Sequence, residues 1–318
     1  MMREFYNQRI LIISLNAIGD SYLSSSVLNL CGISHLNNDY NIVTLSDAKF
    51  IIENIDYKNR IYVNKKNIFS ILYNIFRVLF HKYDLAFNFF EGRVNTLFFL
   101  VCRAKIKIGY INFKKVKDWS FKKSKVYISG IKSDNNLVWN PEMNFMDKIK
   151  LALKPLNIDT KDLNKLKFSN LIQREDEIAQ ENILINYDSR IPGKRINIKV
   201  VSQLIQYLLN SGMHNIHLID YYKRIKEERI TIHKELDLNT IINLFSKCKL
   251  FITSDSFLIH LADAYNIKTL GIFFDTNPES VFYNYKDKFW LKLKQNSDDN
   301  AEIIFNKVKE LLIINENN

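Results

Sequence analysis

The sequence predicts an α/β protein with two Rossmann-like parallel-sheet domains that face each other across a cleft. Short, nearly continuous apolar runs alternate with segments of helical spacing, which is typical of parallel sheets covered by helices. This alternation occurs in two series, and a charged region with few strand signals separates them. The length of 318 residues suits two domains, and 47% hydrophobic residues are enough to form their cores.

The first series begins with the apolar run Arg9–Leu15, which has the pattern of a strand buried on both faces. A loop is predicted over residues 16–20, and a segment of helical spacing follows it. Further strands are predicted at residues 41–46, 83–89, 105–110 and 125–130, and helices at residues 68–80 and 146–156.

Residues 140–180 are charged and poor in strand signals, so we place the domain boundary in this region. The predicted domains are residues 1–172 and 173–318. The second series predicts strands at residues 182–187, 216–220, 250–254 and 269–274, and helices at residues 198–209, 239–247, 255–265 and 300–313. Ligands of such sheets bind beyond the carboxyl ends of the strands, so the loops there hold the candidate site residues.

Composition and charge restrict the function. The chain has 45 Lys and Arg against 34 Asp and Glu, for a net charge of +11 and an isoelectric point near 9.3. This balance favours an anionic partner: a nucleic acid, a membrane surface, or a phosphorylated or carboxylated substrate. None of the 8 glycines has the spacing of a dinucleotide or Walker phosphate loop, so a phosphate site must use helix N-termini and side chains.

Cysteine spacing and hydropathy indicate a cytoplasmic protein. Cys31, Cys102 and Cys248 are too far apart for a CxxC pair or a disulfide framework, which favours a reducing compartment. The first apolar run is too short for a signal peptide. No window reaches about 20 uninterrupted apolar residues, so no membrane span is predicted.

Asp20 follows the first predicted strand, and two interpretations fit this place. A carboxylate at the carboxyl end of a strand, facing the cleft, can act as a general base. The same position suits a helix N-cap, where Asp accepts hydrogen bonds from backbone N–H groups. The residue types alone do not choose between the two.

The segment around Ser254 predicts an anion site. Asp255 and Ser256 follow the strand and open a helix, and His260 lies one turn later and leans back toward the helix start. Backbone N–H groups, a hydroxyl and an imidazole would meet there at a diphosphate. The alternative is a capping Asp or Ser and a satisfied core His. Lys194, in an earlier strand-to-helix loop, either points a cation at the same cleft or is an ordinary surface lysine.

The segment Arg103–Lys125 carries nine Lys or Arg residues and one acid, with aromatic residues between them. It fits an anionic acceptor, an acidic membrane surface, RNA, or a solvated basic face.

These segments, in this order, resemble the ADP-heptose:lipopolysaccharide heptosyltransferases, family 9 glycosyltransferases of the GT-B fold. RILIISLNAIGDSYLSSSVL is similar to the family's first strand, loop and helix, with its Gly-Asp pair. YDLAFNFFEGR with KIGY, and SRIPGKRINIKVVSQLIQYL, resemble the middle of its first domain and the opening of its second. LNTIINLFSKCKLFITSDSFLIHLADAYNIKTLGIFF is similar to the donor-site signature, usually Asp-Thr-Gly-x-x-His.

The resemblance implies an inverting transfer of heptose from ADP-heptose to a hydroxyl of a lipopolysaccharide or lipooligosaccharide core, with Asp20 as the general base. The donor residues that it implies are Lys194 at a phosphate with Ser189 nearby, and Asp255, Ser256 and His260 at the diphosphate. We expect the anionic glycolipid acceptor on the basic first domain, at Arg93, Lys114 and Lys115. No cofactor, metal or nucleic acid is expected, because a DxD triplet is missing and the resemblance implies none. Peripheral contact with the inner face of the cytoplasmic membrane is expected.

The chain also departs from the family pattern. Phe257 stands at the Gly of the signature, and Ile196 and Asn197 stand at its usual Trp-Pro. The acid that contacts adenosine is not assigned among Asp220, Glu227 and Glu228. Two alternatives therefore stay open: a GT-B transferase that uses another nucleotide sugar for capsule or O-antigen, and a non-catalytic relative that binds a nucleotide sugar.

Overall fold

The computed structural model describes residues 7–16, 18–25, 38–53, 55–90, 92–111, 125–129, 145–156, 182–221, 224–234, 237–281 and 288–313. The chain divides into two compact units, Met1–Leu166 and Lys167–Asn318, which we call the N-terminal and the C-terminal unit. The predicted boundary between residues 172 and 173 lies outside the described residues, as does Cys31.

The N-terminal unit contains a six-stranded sheet in the order β3-β2-β1-β4-β5-β6. Its strands are β1 (Arg9–Ser14), β2 (Asp39–Leu45), β3 (Asn59–Val63), β4 (Lys82–Asn88), β5 (Arg103–Ile111) and β6 (Lys125–Ser129). The pairs from β3 to β5 are parallel, and β6 pairs antiparallel with β5. Ile10 to Ile13 of the central strand β1 are fully buried, as its continuous apolar run predicts.

The helices of this unit are α1 (Ile18–Ser25), α2 (Lys49–Ile52), α3 (Ile68–Phe80), α4 (Arg93–Val101) and α5 (Phe145–Leu153). Asn67 caps α3, because its side chain accepts bonds from the backbone N–H groups of Phe69 and Ser70. One face each of α3 and α4 packs against the sheet, in one apolar cluster with Leu11 and Ile13. The predicted loop over residues 16–20 is wrong at its end, because α1 already begins at Ile18.

The C-terminal unit contains a second six-stranded sheet, in the order β12-β11-β10-β7-β8-β9, with all pairs parallel. Its strands are β7 (Asn182–Asn186), β8 (Ile216–Ile219), β9 (Thr231–His233), β10 (Cys248–Ser254), β11 (Thr269–Phe273) and β12 (Lys288–Lys292). Its helices are α6 (Ile198–Asn210), α7 (Leu238–Ser246), α8 (Phe257–Ala264), α9 (Pro278–Val281) and α10 (Asn300–Ile313). Apolar residues of β7, β10 and β11 form a buried core with α6 and α10.

Both sheets have the strand order of a doubly wound nucleotide-binding fold, 3-2-1-4-5-6 when numbered within each unit. The order reverses between β1 and β4 in the first sheet and between β7 and β10 in the second. Ligands of open α/β sheets bind at this reversal, beyond the carboxyl ends of the strands. The predicted α/β class with two Rossmann-like sheets is thereby confirmed, and the loops after these four strands are where ligands are expected.

No helix in the described ranges combines the length and the apolar character that crossing a membrane requires.

Candidate functional site

The best-defined polar cluster of the C-terminal unit lies where its strand order reverses. Lys194 ends a short 3₁₀ turn, Pro192–Lys194, in the loop after β7, and Asp255 directly follows β10. The Lys194 ammonium nitrogen lies 2.5 Å from Oδ2 of Asp255. The Lys194 side chain is 28% exposed and that of Asp255 is 11% exposed, so the ion pair lies at the edge of the solvent.

A third strand end contributes Thr276, in the loop after β11. Its hydroxyl donates to the same Asp255 oxygen at 2.6 Å. The Lys194 turn is itself fixed, because the Gln295 amide donates to the Gly193 carbonyl at 2.6 Å. Asp255 therefore joins loops that follow three neighbouring strands, and this holds Lys194 in place.

Ser256 is the N-cap residue of α8, but its hydroxyl makes no capping hydrogen bond. Instead the Asn186 amide, at the end of β7, donates to the Ser256 hydroxyl at 3.2 Å and to the Thr253 hydroxyl at 3.0 Å. The alternative of a capping Ser is therefore wrong, and the helix begins two residues later than predicted, at Phe257. The first turn of α8 is thus not capped by the side chain that precedes it.

Ser189 has a structural partner within the cluster. Its hydroxyl donates to the Asp255 carbonyl at 2.9 Å, and its own carbonyl accepts from Nε of Arg195 at 2.7 Å. Arg195 also pairs with Asp188 at 2.7 Å, and the Asp188 carbonyl accepts from the Ser254 hydroxyl at 2.6 Å. These bonds connect the loop after β7 to the end of β10.

His260 and Phe257 both lie on α8, and both are half-buried. His260 is one helical turn beyond Ser256, which is the placement predicted from the sequence. The structure thus brings Lys194, Ser189, Asp255 and Ser256 into one network of contacts, with His260 on the helix that follows.

Of the acids considered for a nucleoside, Asp220 is fully buried at the end of β8 and has two partners. The Tyr187 hydroxyl donates to one carboxyl oxygen at 2.6 Å, and the Ile225 N–H to the other at 2.8 Å. Burial and this bond to Asp220 raise the pKa of the Tyr187 phenol, which therefore stays a donor. The described contacts give Asp220 a structural role.

A cavity of about 230 Å³ lies beside this network, in the same unit. Its lining includes Arg195, Asn197, Arg224 and Gln295. Drug-sized ligands occupy pockets of about 300–1,000 Å³, so this cavity is smaller than a pocket that encloses such a ligand. Within the described ranges no group of three His, Cys, Asp or Glu residues is arranged to hold a metal ion.

In the N-terminal unit, Asp20 lies in the first turn of α1 and is half-buried. It is not the N-cap, because the helix begins two residues before it. The exposed Arg93 opens α4, which follows β4. These segments meet, since the Asn95 side chain of α4 accepts from the Leu15 N–H at 3.1 Å. Asp20 and Arg93 thus follow the two strands at which the order of the first sheet reverses.

Lys114 and Lys115 lie outside the described residues. In the described part of the basic segment, Arg103, Lys105 and Lys107 alternate along the start of β5, and Arg103 pairs in register with Lys82 at the start of β4. At about 3.3 Å per residue, this edge of the sheet lies roughly 20 Å from the carboxyl ends. Arg103 therefore does not share a site with Asp20, Lys105 is paired with Asp84, and Lys107 lies further along β5, in register with Ala86.

Sequence reasoning missed Thr276, Asn186 and Asp188. Asn186 ends β7, and Asp188 and Thr276 lie two and three residues beyond the ends of β7 and β11, which is a signal that the sequence offers, but their partners depend on the order of the strands. The sequence does not state that order.

Comparison with known proteins gives a consistent result. Residues 73–300 match the model of glycosyltransferase family 9 (heptosyltransferase). Comparison with curated protein sequences finds no match.

Solved structures with the same fold include three heptosyltransferases or family members. Escherichia coli heptosyltransferase WaaC with ADP has a TM-score of 0.72 and 13% identity, over 95% of this chain and 99% of its own. E. coli ADP-heptose lps heptosyltransferase II has a TM-score of 0.68 and 14% identity, over 97% of this chain and 99% of its own. A family 9 glycosyltransferase of Veillonella parvula has a TM-score of 0.70 and 15% identity, over 98% of this chain and 99% of its own. At these identities the likeness shows the fold.

Proposed function

Because the chain belongs to glycosyltransferase family 9, the heptosyltransferase family, we propose that it moves a heptose from ADP-heptose to a hydroxyl of a lipopolysaccharide or lipooligosaccharide core. The chain is a glycosyltransferase of the GT-B fold. Donor, acceptor and catalytic base are our proposals. The single observation that carries the donor site is the Lys194–Asp255 pair at the strand reversal, next to the start of α8.

The diphosphate of the donor binds at this pair and at the first turn of α8. The N-terminal end of a helix attracts anions, and a Lys ammonium stabilises the charge that develops on a departing phosphate. Asp255 balances the positive charge of Lys194, so the pair is neutral before the donor binds. His260 lies on the same helix and contacts the diphosphate. E. coli WaaC with ADP and with a fluorinated ADP-heptose, which share the fold, support an adenosine diphosphate here.

Asp20 acts as the general base. It takes the proton of the acceptor hydroxyl while the hydroxyl oxygen bonds to the anomeric carbon, and the bond from that carbon to the phosphate oxygen breaks with inversion. The diphosphate leaves with both bonding electrons. Arg93, beyond the neighbouring strand, and Lys114 and Lys115 contact anionic groups of the acceptor. The reaction takes place at the inner face of the cytoplasmic membrane.

The donor is tested first, by thermal unfolding with ADP-, GDP-, UDP- and dTDP-sugars. A ligand at 100 times its Kd stabilises the native state by about 2.7 kcal/mol, so the correct nucleotide gives a clear rise in Tm. A rise with another nucleotide alone would replace ADP-heptose by a donor for capsule or O-antigen.

The base is tested with Asp20→Asn. We expect transfer to fall by about 10²–10⁴-fold, with unchanged Tm and unchanged ADP affinity. Asp147→Asn is the matched control, because Asp147 is also an acid in the first turn of a helix of the same unit. Full turnover by Asp20→Asn would remove the base assignment. Donor binding without any transfer by the unaltered chain would instead indicate a non-catalytic relative.

A further inference from the structure

Helix α3 presents large apolar side chains to the solvent. Six of its thirteen residues are exposed and apolar, with 46–78% of each residue accessible. We call them the outer face of α3: Ile68, Phe69, Leu72, Tyr73, Phe76 and Phe80. Single exposed apolar residues are ordinary, but a contiguous patch of this kind marks an interaction surface.

The outer face is separate from the face that packs on the sheet. Ile71, Asn74 and Val78 are buried on the opposite side. At 100° per residue, the six exposed positions form one continuous face about 140° wide. A surface helix of a globular protein needs only one apolar face, toward its core, so the second is available for a partner.

Cations lie at both ends of the outer face. Lys65 and Lys66 immediately precede the cap of the helix. At the other end, where Phe80 is followed by β4, a cavity of about 520 Å³ lies at the amino ends of the strands. Its basic lining residues are Arg9, Lys82, Arg103, Lys105 and Lys107. Asp84, also in this lining, is paired with Lys105 at 2.6 Å.

We propose that the outer face of α3 lies in the interface of an anionic phospholipid bilayer, while the cations of the adjoining cavity contact headgroup phosphates. Aromatic side chains favour the boundary between headgroups and acyl chains, and Lys and Arg next to them are attracted to anionic lipids. The stacked rings of Phe76 and Phe80 enter this boundary next to Lys82.

The charge pattern favours a bilayer over the two other candidate occupants. A second copy of the chain, docked by the same face around a two-fold axis, would bring cations together. With parallel helices the two basic cavities would meet, and with antiparallel helices each cavity would meet Lys65 and Lys66 of the other copy. RNA would contact the cations but leave the apolar face in water, apart from stacking on single rings. An anionic bilayer satisfies both the apolar surface and the charge.

The inference deepens the proposed function, because it names the surface by which the enzyme reaches a lipid-anchored acceptor. The inference rests on the proposed function only where it explains why the chain would bind a bilayer, which is to reach that acceptor. Binding to lipid can be measured without donor or acceptor, so its failure and the failure of heptosyl transfer are distinguishable.

The test is co-sedimentation of the full chain with vesicles of phosphatidylcholine containing about 30 mol% phosphatidylglycerol. The variant is Phe69→Ser/Phe76→Ser/Phe80→Ser, which changes exposed side chains only. The control variant, Trp290→Ser/Ile303→Ser, removes two exposed apolar residues of the C-terminal unit. Far-UV circular dichroism, Tm and ADP affinity verify the fold of each.

We expect the chain to bind these vesicles, the triple variant to bind at least roughly tenfold more weakly, and the control to bind like the original chain. Pure phosphatidylcholine vesicles and high salt should weaken binding, since the cations contribute. Equal binding by the triple variant would overturn the proposal. So would a dimer in sedimentation velocity that the triple variant converts to a monomer while vesicle binding is unchanged, because the face would then be a contact between copies.

Discussion

Replacing Lys194 by Met tests the donor site through its effects on stability and on binding. The change removes the ammonium group and leaves the Asp255 carboxylate, 11% exposed, with the Thr276 hydroxyl. Loss of one partner of a fully buried pair costs about 3–5 kcal/mol, and of an exposed pair about 0–1 kcal/mol. For this pair at the edge of the solvent we expect a loss of about 1–2 kcal/mol in the free energy of unfolding.

The effect on ADP affinity should be larger than the loss of one contact. In the unaltered chain the pair is neutral, whereas Lys194→Met leaves a net negative charge at the place where we propose that the diphosphate binds. A hydrogen bond to a charged group contributes about 1.5–3 kcal/mol, which alone is a roughly 10–100-fold loss of ADP affinity, and the uncompensated carboxylate adds to it, so we expect a loss toward or beyond the upper end of this range. Asp255→Asn should keep or raise the affinity, because Lys194 is then free of its carboxylate partner.

The assays are urea unfolding and calorimetric titration with ADP, completed by the double variant Lys194→Met/Asp255→Asn. Each single change leaves one partner unsatisfied. The loss of unfolding free energy in the double variant should therefore be smaller than the sum of the two single losses, by about 1 kcal/mol. The matched control is Lys199→Met, an exposed lysine of α6 in the same unit. An ADP affinity within about twofold of the original for Lys194→Met, or strict additivity in the cycle, would refute the argument.

Three further changes test the fold. Gly109→Ala would place its Cβ 2.6 Å from the Asn88 carbonyl oxygen, so we expect at least about 1–3 kcal/mol of destabilisation by urea unfolding; unchanged stability would contradict this packing. Tyr187→Phe removes a donor from a buried carboxylate and should cost about 1–3 kcal/mol, and a neutral result would argue against that bond. Burial lowers the pKa of His217 and of His233, and for His217 the charge of its stacked partner adds to this. Because the unfolded chain then binds protons more readily, stability should fall as the pH drops below about 6.5. As the pH decreases, the Tm of His233→Gln should therefore fall less steeply than the Tm of the unaltered chain. Equal slopes for the two proteins would contradict the lowered pKa values.

The central strands were predictable because burial on both faces imposes an apolar run. Strands β1, β4, β7 and β10 lie inside their sheets, and each appears in the sequence as such a run. The strands that the sequence did not predict, β3, β9 and β12, are all at sheet edges. An edge strand has one neighbour and is less completely covered, so charged residues interrupt or flank its apolar residues, as Arg60 does in β3 and Lys288 and Lys292 do in β12.

The site was predictable in its residue types but not in its pairings. Asp255 and Ser256 were found because polar residues directly after an apolar run are conspicuous, and Lys194 because it is a cation in the loop between β7 and α6. The ion pair of Lys194 with Asp255 joins residues far apart in sequence and exists only because β7 and β10 are neighbours. That adjacency comes from the long-range order of the sheet, which no local pattern encodes.

The departure at Phe257 concerns space and not backbone conformation. Among the described residues, positive φ outside glycine occurs at Asn7, Asn266 and Asn296, so residue 257 has no conformation that requires Gly. Phe257 begins α8 as an ordinary helical residue, and the N–H groups of that first turn keep the direction that attracts an anion. What a Gly would add is a closer approach of the phosphate to the backbone. In the donor site proposed above, a side chain at this position keeps the phosphate further from the backbone N–H groups, so we expect the Lys194 ammonium to contribute a larger share of the binding than it would beside a Gly.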